Sequence, residues 1–113
     1  MNPPRLSLRI DLAPERQIGP GKIRLLEAIR DTGSIAKGGR KLGMSYRRAW
    51  LLVNDLNQCF REPVVSAQTG GARGGGANLT PFGLKLVERY RAVEAESHKA
   101  SVRHLKALQA ALR

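Results

Sequence analysis

The chain has 113 residues, which is enough for one domain with one modest hydrophobic core. Its apolar fraction of 42% is that of a folded protein and argues against disorder throughout. The formal net charge of +11 indicates an anionic partner such as nucleic acid, although a basic ribosomal or solvated surface would give the same total.

The single cysteine excludes an intrachain disulfide, and no apolar run approaches the length that spans a membrane. The N-terminus has no continuous apolar segment of the signal-peptide kind. We therefore expect a cytoplasmic protein with no membrane partner.

The first third of the chain predicts one strand, a loop and a helix. Residues 6–12 alternate between apolar and polar side chains, which is typical of a strand with one apolar face. Residues 13–21 are rich in proline and glycine and predict a connecting loop. A helix is expected from residue 20 or 21 to residue 32, with an inner stripe formed by Ile23, Leu26 and Ile29 and widened by Leu25.

Residues 33–60 predict two helices joined by a tight turn at residues 43–45. Ser34 and Ser45 are suitable N-caps, and Gly43 suits the left-handed backbone that often follows a helix. On the second helix the expected buried face consists of Ala49, Val53, Leu56 and Phe60. A short helix, a glycine turn and a longer helix with a basic outer face match a helix-turn-helix, whose second helix enters the DNA major groove.

Charge in this region favours a DNA-facing role. No acidic residue lies between Asp31 and Asp55, whereas five cations do: Lys37, Arg40, Lys41, Arg47 and Arg48. Their contacts with phosphate would release counterions and supply affinity that is independent of base sequence. Arginine also pairs with guanine O6 and N7, so Arg47 and Arg48 are the main candidates for base contact, with contact to phosphate alone as the alternative.

Four further residues complete the expected DNA-binding surface. Ser45 offers its hydroxyl and backbone N–H to phosphate. Tyr46 either does the same through its phenol or packs with a polar tip. Ser34 and Leu51 are assigned to the same surface. Trp50 is expected to be a half-buried anchor against the preceding helix rather than a base contact.

Two short strands, at residues 64–68 and 77–79, flank a glycine-rich tip and predict a hairpin, which is called a wing when it follows a helix-turn-helix. Arg73 stands at the tip, where one cation on a bare backbone suits phosphate or the minor groove. A flexible linker is the alternative. A nucleotide-binding loop is disfavoured because no Lys-Ser/Thr pair follows the glycines.

The last predicted helix begins at Thr80-Pro81 and is long. A continuous helix of about 32 residues would measure about 48 Å, whereas a domain of this size is only about 25–30 Å across. We therefore expect this helix, or a pair of helices, to project and join two copies. The domain would span residues 1–95 and the dimerisation extension residues 96–113. The expected dimer contacts are Leu86, Tyr90, Val93, Leu105, Leu108 and Leu112.

No catalytic or metal site is expected. The two histidines, His98 and His104, are six residues apart and fall on different faces of the last helix. No cysteine pair, serine triad or carboxylate cluster accompanies them. An enzyme is therefore the least favoured class.

The turn and helix GMSYRRAW at residues 43–50 and the segment TGGARGGGANLT at residues 69–80 are distinctive together. With Gly33-Ser34-Ile35, Asn54 and Asn57, they resemble the N-terminal DNA-binding domain of the ModE-type molybdate-dependent transcriptional regulators. That domain is a winged helix-turn-helix related to the LysR-type one, and the resemblance covers about residues 5–95.

The resemblance implies a mainly helical α+β fold, a dimer, residues 45–48 at the start of the recognition helix, and Arg73 as the wing cation. Full-length members carry molybdate-binding modules after this domain. Because the sequence ends at Arg113, we expect no cofactor in this chain, with molybdate sensed elsewhere if at all.

These observations favour a sequence-specific transcriptional regulator, most simply a repressor, that binds double-stranded DNA as a homodimer. Two alternatives stay open. A non-specific architectural DNA-binding protein would also be short and highly basic. A heterodimerisation partner of a longer regulator would also have a long C-terminal helix with no sensor attached.

Overall fold

The computed structural model of the chain describes residues 2–68 and 76–113. A hairpin of β1 (Ile10–Ala13) and β2 (Arg16–Ile18) leads into helices α1 (Pro20–Thr32), α2 (Ile35–Lys41) and α3 (Tyr46–Cys59). A second antiparallel hairpin, β3 (Val65–Gln68) and β4 (Gly76–Leu79), precedes α4 (Pro81–Ala110). This order confirms the predicted mainly helical α+β architecture.

The N-terminal region differs from the prediction. Strand pairing begins only at Ile10, and the segment predicted as a loop contains β2, which pairs with β1 across a turn at Glu15. Residues 2–9 form an extended segment beside α4 instead. The phenol of Tyr90 donates a hydrogen bond to the Leu8 carbonyl at 2.5 Å. The apolar and polar alternation of residues 6–12 therefore reflects packing against a helix as well as strand pairing.

Helix α1 forms the centre of the core. Gly33, with φ of 73°, ends it in the left-handed region, as a glycine after a helix often does. Its inner stripe packs against α2, α3 and α4, and four of its residues are fully buried: Ile23, Leu25, Leu26 and Ile29. The predicted stripe is thus confirmed, including Leu25 as the residue that widens it.

The two glycines in the middle of α2 allow it to approach two helices at once. The sequence predicts that both allow close approach to α3, since glycine has no side chain to hold two helices apart. A Cβ added to Gly39 would lie 2.7 Å from the Cβ of Ala49 on α3, whereas one on Gly38 would lie 3.0 Å from Ile29 on α1. The close approach predicted for α3 is therefore made by Gly39, and Gly38 makes the equivalent approach to α1.

Helix α4 is a single continuous helix of 30 residues. At 1.5 Å per residue it measures about 45 Å, and the molecule extends 56 × 30 × 22 Å. Its buried residues all lie between Gly83 and Tyr90, so the later turns project from the core. Arg91 ties α4 to α1, since its guanidinium pairs with Glu27 at 2.6 Å and with Glu94 at 2.7 Å, and these bonds raise its pKa.

Two of the predicted dimer contacts are corrected by this arrangement. Leu86 and Tyr90 are buried in the core of this chain, so they do not lie on a free surface. An apolar stripe on a helix beside the core is buried within its own chain and is then not available to a second copy. Of the other four, Leu105 is partly covered, while Val93, Leu108 and Leu112 are exposed.

Candidate nucleic-acid interface

Helices α2 and α3 are joined by a tight turn whose features match the prediction. Gly43 adopts φ of 73°, in the left-handed region that glycine tolerates best. The Ser34 hydroxyl oxygen accepts from the Lys37 N–H at 3.1 Å, and the Ser45 hydroxyl oxygen accepts from the Arg48 N–H at 3.2 Å. Each cap uses the hydroxyl as an acceptor, so the Ser45 O–H hydrogen remains able to donate to a phosphate oxygen.

The inner and outer faces of α3 separate cleanly. Ala49, Val53 and Leu56 are buried, whereas Phe60 at the helix end is partly covered and meets the Phe82 ring edge-on at 5.2 Å. Outside the buried face Tyr46 is 59% exposed, Trp50 46% and Leu51 44%.

With 46% of its surface exposed, Trp50 is half-buried, as predicted, and its role as an anchor against α2 stays a prediction. Positions 47 and 51 point away from the buried residues, whereas positions 46 and 50 lie at the edge of the buried face. The first turns of α3 therefore expose two aromatic side chains and one leucine beside Arg47.

The five cations predicted to gather around this turn are all exposed: Lys37, Arg40, Lys41, Arg47 and Arg48. Within residues 2–68 and 76–113, none of them takes part in an ion pair. The first turn of α3 carries no acidic residue. Because no carboxylate neutralises these side chains internally, the surface keeps a positive field that attracts polyanions.

The wing is confirmed as a hairpin, with Val65 opposite Leu79 and Gln68 opposite Gly76. It docks on the junction of α1 and α2 through the Ala77 N–H, which donates to the Gly33 carbonyl at 2.9 Å. The predicted wing cation, Arg73, lies outside the described residues.

Asn57 is a positioning residue to which the sequence analysis gave no role. Its side-chain oxygen accepts from the Val64 and Val65 N–H groups at 2.7 and 3.2 Å, and its amide donates to the Val65 carbonyl at 3.3 Å. An asparagine near the end of α3 thus fixes the start of β3, and with it the base of the wing. The only sequence signal was its place among the residues that carry the family resemblance.

Thr80 completes this junction. Its hydroxyl oxygen accepts from the Gly83 N–H at 2.9 Å and donates to the Pro63 carbonyl at 2.6 Å. The predicted N-cap of α4 is therefore confirmed, and it also ties the end of the wing to the segment before β3.

Among the residues that the structure describes, no group of three or more histidine, cysteine or acidic side chains is placed to hold a metal ion. No helix in the described part of the chain combines the length and the apolarity needed to cross a membrane.

The docked α2–α3 pair, the exposed basic start of α3 and the hairpin against it define a winged helix-turn-helix domain. No family model matches the chain. Over 70–85% of its length, however, it is 38–47% identical to proteins with ModE and Mop names, and it corresponds to the ModE-type N-terminal region. The chain is a ModE-type sequence.

Three relatives illustrate the match. "Molybdenum-pterin-binding protein MopB" of Rhodobacter capsulatus is 47% identical over 70% of this chain and 29% of that protein. "Transcriptional regulator ModE" of Yersinia pestis is 42% identical over 72% of this chain and 31% of its own length. "DNA-binding transcriptional dual regulator ModE" of Escherichia coli K12 is 40% identical over the same shares. The chain thus spans about a third of the length of these curated relatives.

Proposed function

We propose that the chain is a sequence-specific transcriptional regulator that binds double-stranded DNA through α2, α3 and the wing. The observation that carries the proposal is the start of α3, where exposed cations without internal carboxylate partners surround exposed aromatic and leucine side chains. Cations supply affinity for phosphate, while apolar and arginine side chains contact base edges in the major groove. Relatives named as transcriptional regulators support this reading.

Repression by occupying a promoter is the simplest mode of action for a domain of this kind. The names of the relatives connect them with molybdenum, so promoters of genes for molybdenum uptake or use are the first targets to test.

We further propose that two copies act together. Leu108, on the projecting part of α4, is 69% exposed, and Leu112, just after the end of the helix, is 68% exposed. Val93 is also exposed. Burying such side chains against a second copy would remove apolar surface from water at roughly 25 cal/mol per Å². Two-fold symmetry would then place two recognition helices about one or two DNA turns apart.

The oligomeric state is tested by sedimentation velocity. Leu108→Lys combined with Leu112→Lys should shift the chain from dimer to monomer and leave its helical circular-dichroism signal unchanged. A wild-type chain that sediments as a monomer contradicts the dimer. Co-expression with a longer ModE-type regulator distinguishes a homodimer from an obligate heterodimer partner.

Sequence-specific binding is tested by fluorescence anisotropy with genomic fragments selected for binding and with random duplexes of the same length. Arg47→Ala should lower affinity for the selected fragment more than for random DNA, by about 5- to 150-fold if one arginine–guanine pair worth about 1–3 kcal/mol is lost. Lys106→Ala, on the projecting part of α4, is the matched control. Equal affinity of the wild-type chain for both duplexes would instead support the architectural alternative.

A further inference from the structure

We propose that a cleft on the flank of α3 is a second contact with the DNA backbone, and that Arg48 belongs to it. This inference rests on the proposed function. The cleft, of about 250 Å³, opens between the β2–α1 connection and the first turns of α3. Three cations line it: Arg9 from the N-terminal segment, Lys22 from α1 and Arg48 from α3.

The cleft has a net positive lining because no acidic residue among the described parts of the chain contributes to it. Arg48 is exposed and is in no ion pair within the described ranges. The Lys22 ammonium donates one hydrogen bond, to the Gln17 carbonyl at 3.1 Å, and keeps two N–H groups for another acceptor. Arg9 pairs with Asp11 at 2.9 Å, but both side chains are well exposed, so water screens the pair.

The two adjacent arginines of α3, Arg47 and Arg48, point in different directions and therefore have different expected contacts. Consecutive residues on a helix point about 100° apart. Arg47 shares the outer face with Leu51, whereas Arg48 lines the cleft together with Leu52, one turn further along the helix. Arg47 therefore faces the expected position of the base edges, and Arg48 faces the side, where a sugar-phosphate strand would run.

Helix α1 places this cleft and the wing on two sides of the interface. Its first residues border the cleft, and Gly33, directly after its last residue, binds the wing through Ala77. Thirteen helical residues separate these points by roughly 20 Å, compared with a major groove about 12 Å wide. The two ends of α1 can thus approach different strands of the DNA, one on each side of the groove.

A neighbouring depression marks where the positive surface ends. It shares Lys22 with the cleft but is also lined by Glu15 and Asp55. Phosphate is therefore expected on the Arg9 and Arg48 side of Lys22. The sequence alone did not bring these three cations together, because they are distant in the chain and meet only when the N-terminal segment, α1 and α3 pack.

The test measures affinity as a function of salt for the selected and random duplexes. Each phosphate contact contributes about 0.9 to the slope of log affinity against log salt concentration. Lys22→Gln and Arg48→Gln should each weaken binding by the same factor for both duplexes. Each should also make the fall in affinity between about 50 and about 200 mM salt roughly 3.5-fold smaller. Lys106→Gln, a matched loss of charge on α4, should change neither quantity.

Asp11→Asn provides a variant with the opposite expected sign. Removal of the carboxylate frees Arg9 for phosphate, so binding should become tighter and its salt dependence steeper, a gain that misfolding does not produce.

The inference is overturned if Lys22→Gln behaves like Lys106→Gln, or if Arg48→Gln weakens only the selected duplex. If Arg47→Ala loses its preference for the selected duplex while the salt dependence of the Lys22→Gln and Arg48→Gln variants is unchanged, the proposed function is upheld and the role of the cleft in binding phosphate is refuted. A wild-type chain without selectivity would refute the proposed function, while the slopes would still decide the cleft.

Discussion

The contact between Gly39 on α2 and Ala49 on α3 sets how closely the two helices of the DNA-binding motif dock. A Cβ added at Gly39 would lie 2.7 Å from the Ala49 Cβ, whereas carbon atoms in contact prefer about 3.5–4.0 Å. Gly39→Ala therefore forces the helices apart by about 1 Å or strains them, at a cost of about 1–3 kcal/mol. The gain in helix propensity, about 1 kcal/mol, offsets part of this cost.

Gly21→Ala is the matched control, because a Cβ at Gly21, in the first turn of α1, meets nothing within 4 Å. Comparing the free energies of unfolding of the two variants in urea largely cancels the propensity term. Gly39→Ala should be less stable than Gly21→Ala by about 1–3 kcal/mol. Combining Gly39→Ala with Ala49→Gly should recover much of the loss, since the opposing methyl group is then gone. Equal stability of the two single variants would refute this account of the helix contact.

Two further predictions concern the wing and the N-terminal segment. Asn57→Ala leaves the buried Val64 N–H without its acceptor, so the free energy of unfolding measured in urea should fall by about 1–3 kcal/mol. Asn54 makes no such bonds among the described residues, so Asn54→Ala is the control and should change this free energy little. Burial disfavours the phenolate of Tyr90 and raises the pKa of its phenol. The contribution of Tyr90 to the free energy of unfolding should therefore be complete below pH 10 and should be lost as the pH rises from about 10 through the folded-state pKa. In a Tyr46→Phe background Tyr90 is the only phenol, and its absorbance titration should have a midpoint above 10; a midpoint at or below 10 would contradict its burial.

The sequence predicted most of what is locally determined. The N-caps Ser34, Ser45 and Thr80 marked the starts of three helices, because a capping hydroxyl needs only a backbone N–H a few residues away. The apolar spacing of α1 and α3 identified their buried faces, since a period of 3.6 residues is a property of the helix itself. The basic character of the α2–α3 turn followed from a stretch without acidic residues.

What depends on distant contacts was not predictable in the same way. The alternation of residues 6–12 predicted an apolar face but not its partner: Leu6 and Leu8 lie beside α4, and only the second half of the face belongs to β1. The stripe of α4 predicted burial without showing whether Leu86 and Tyr90 meet this chain or another copy. The cleft around Lys22 required the packing of three separate elements.

The extended N-terminal segment brings the two chain ends together. The Gln109 side chain, in the last turn of α4, donates to the Asn2 carbonyl at 2.8 Å, so residue 2 lies beside the tip of a rod about 45 Å long. A fluorescent dye attached at either terminus would sit at that tip. In an assembly joined there, donor and acceptor dyes on separate copies would transfer energy efficiently. The same labels would give a direct reading of subunit exchange in solution.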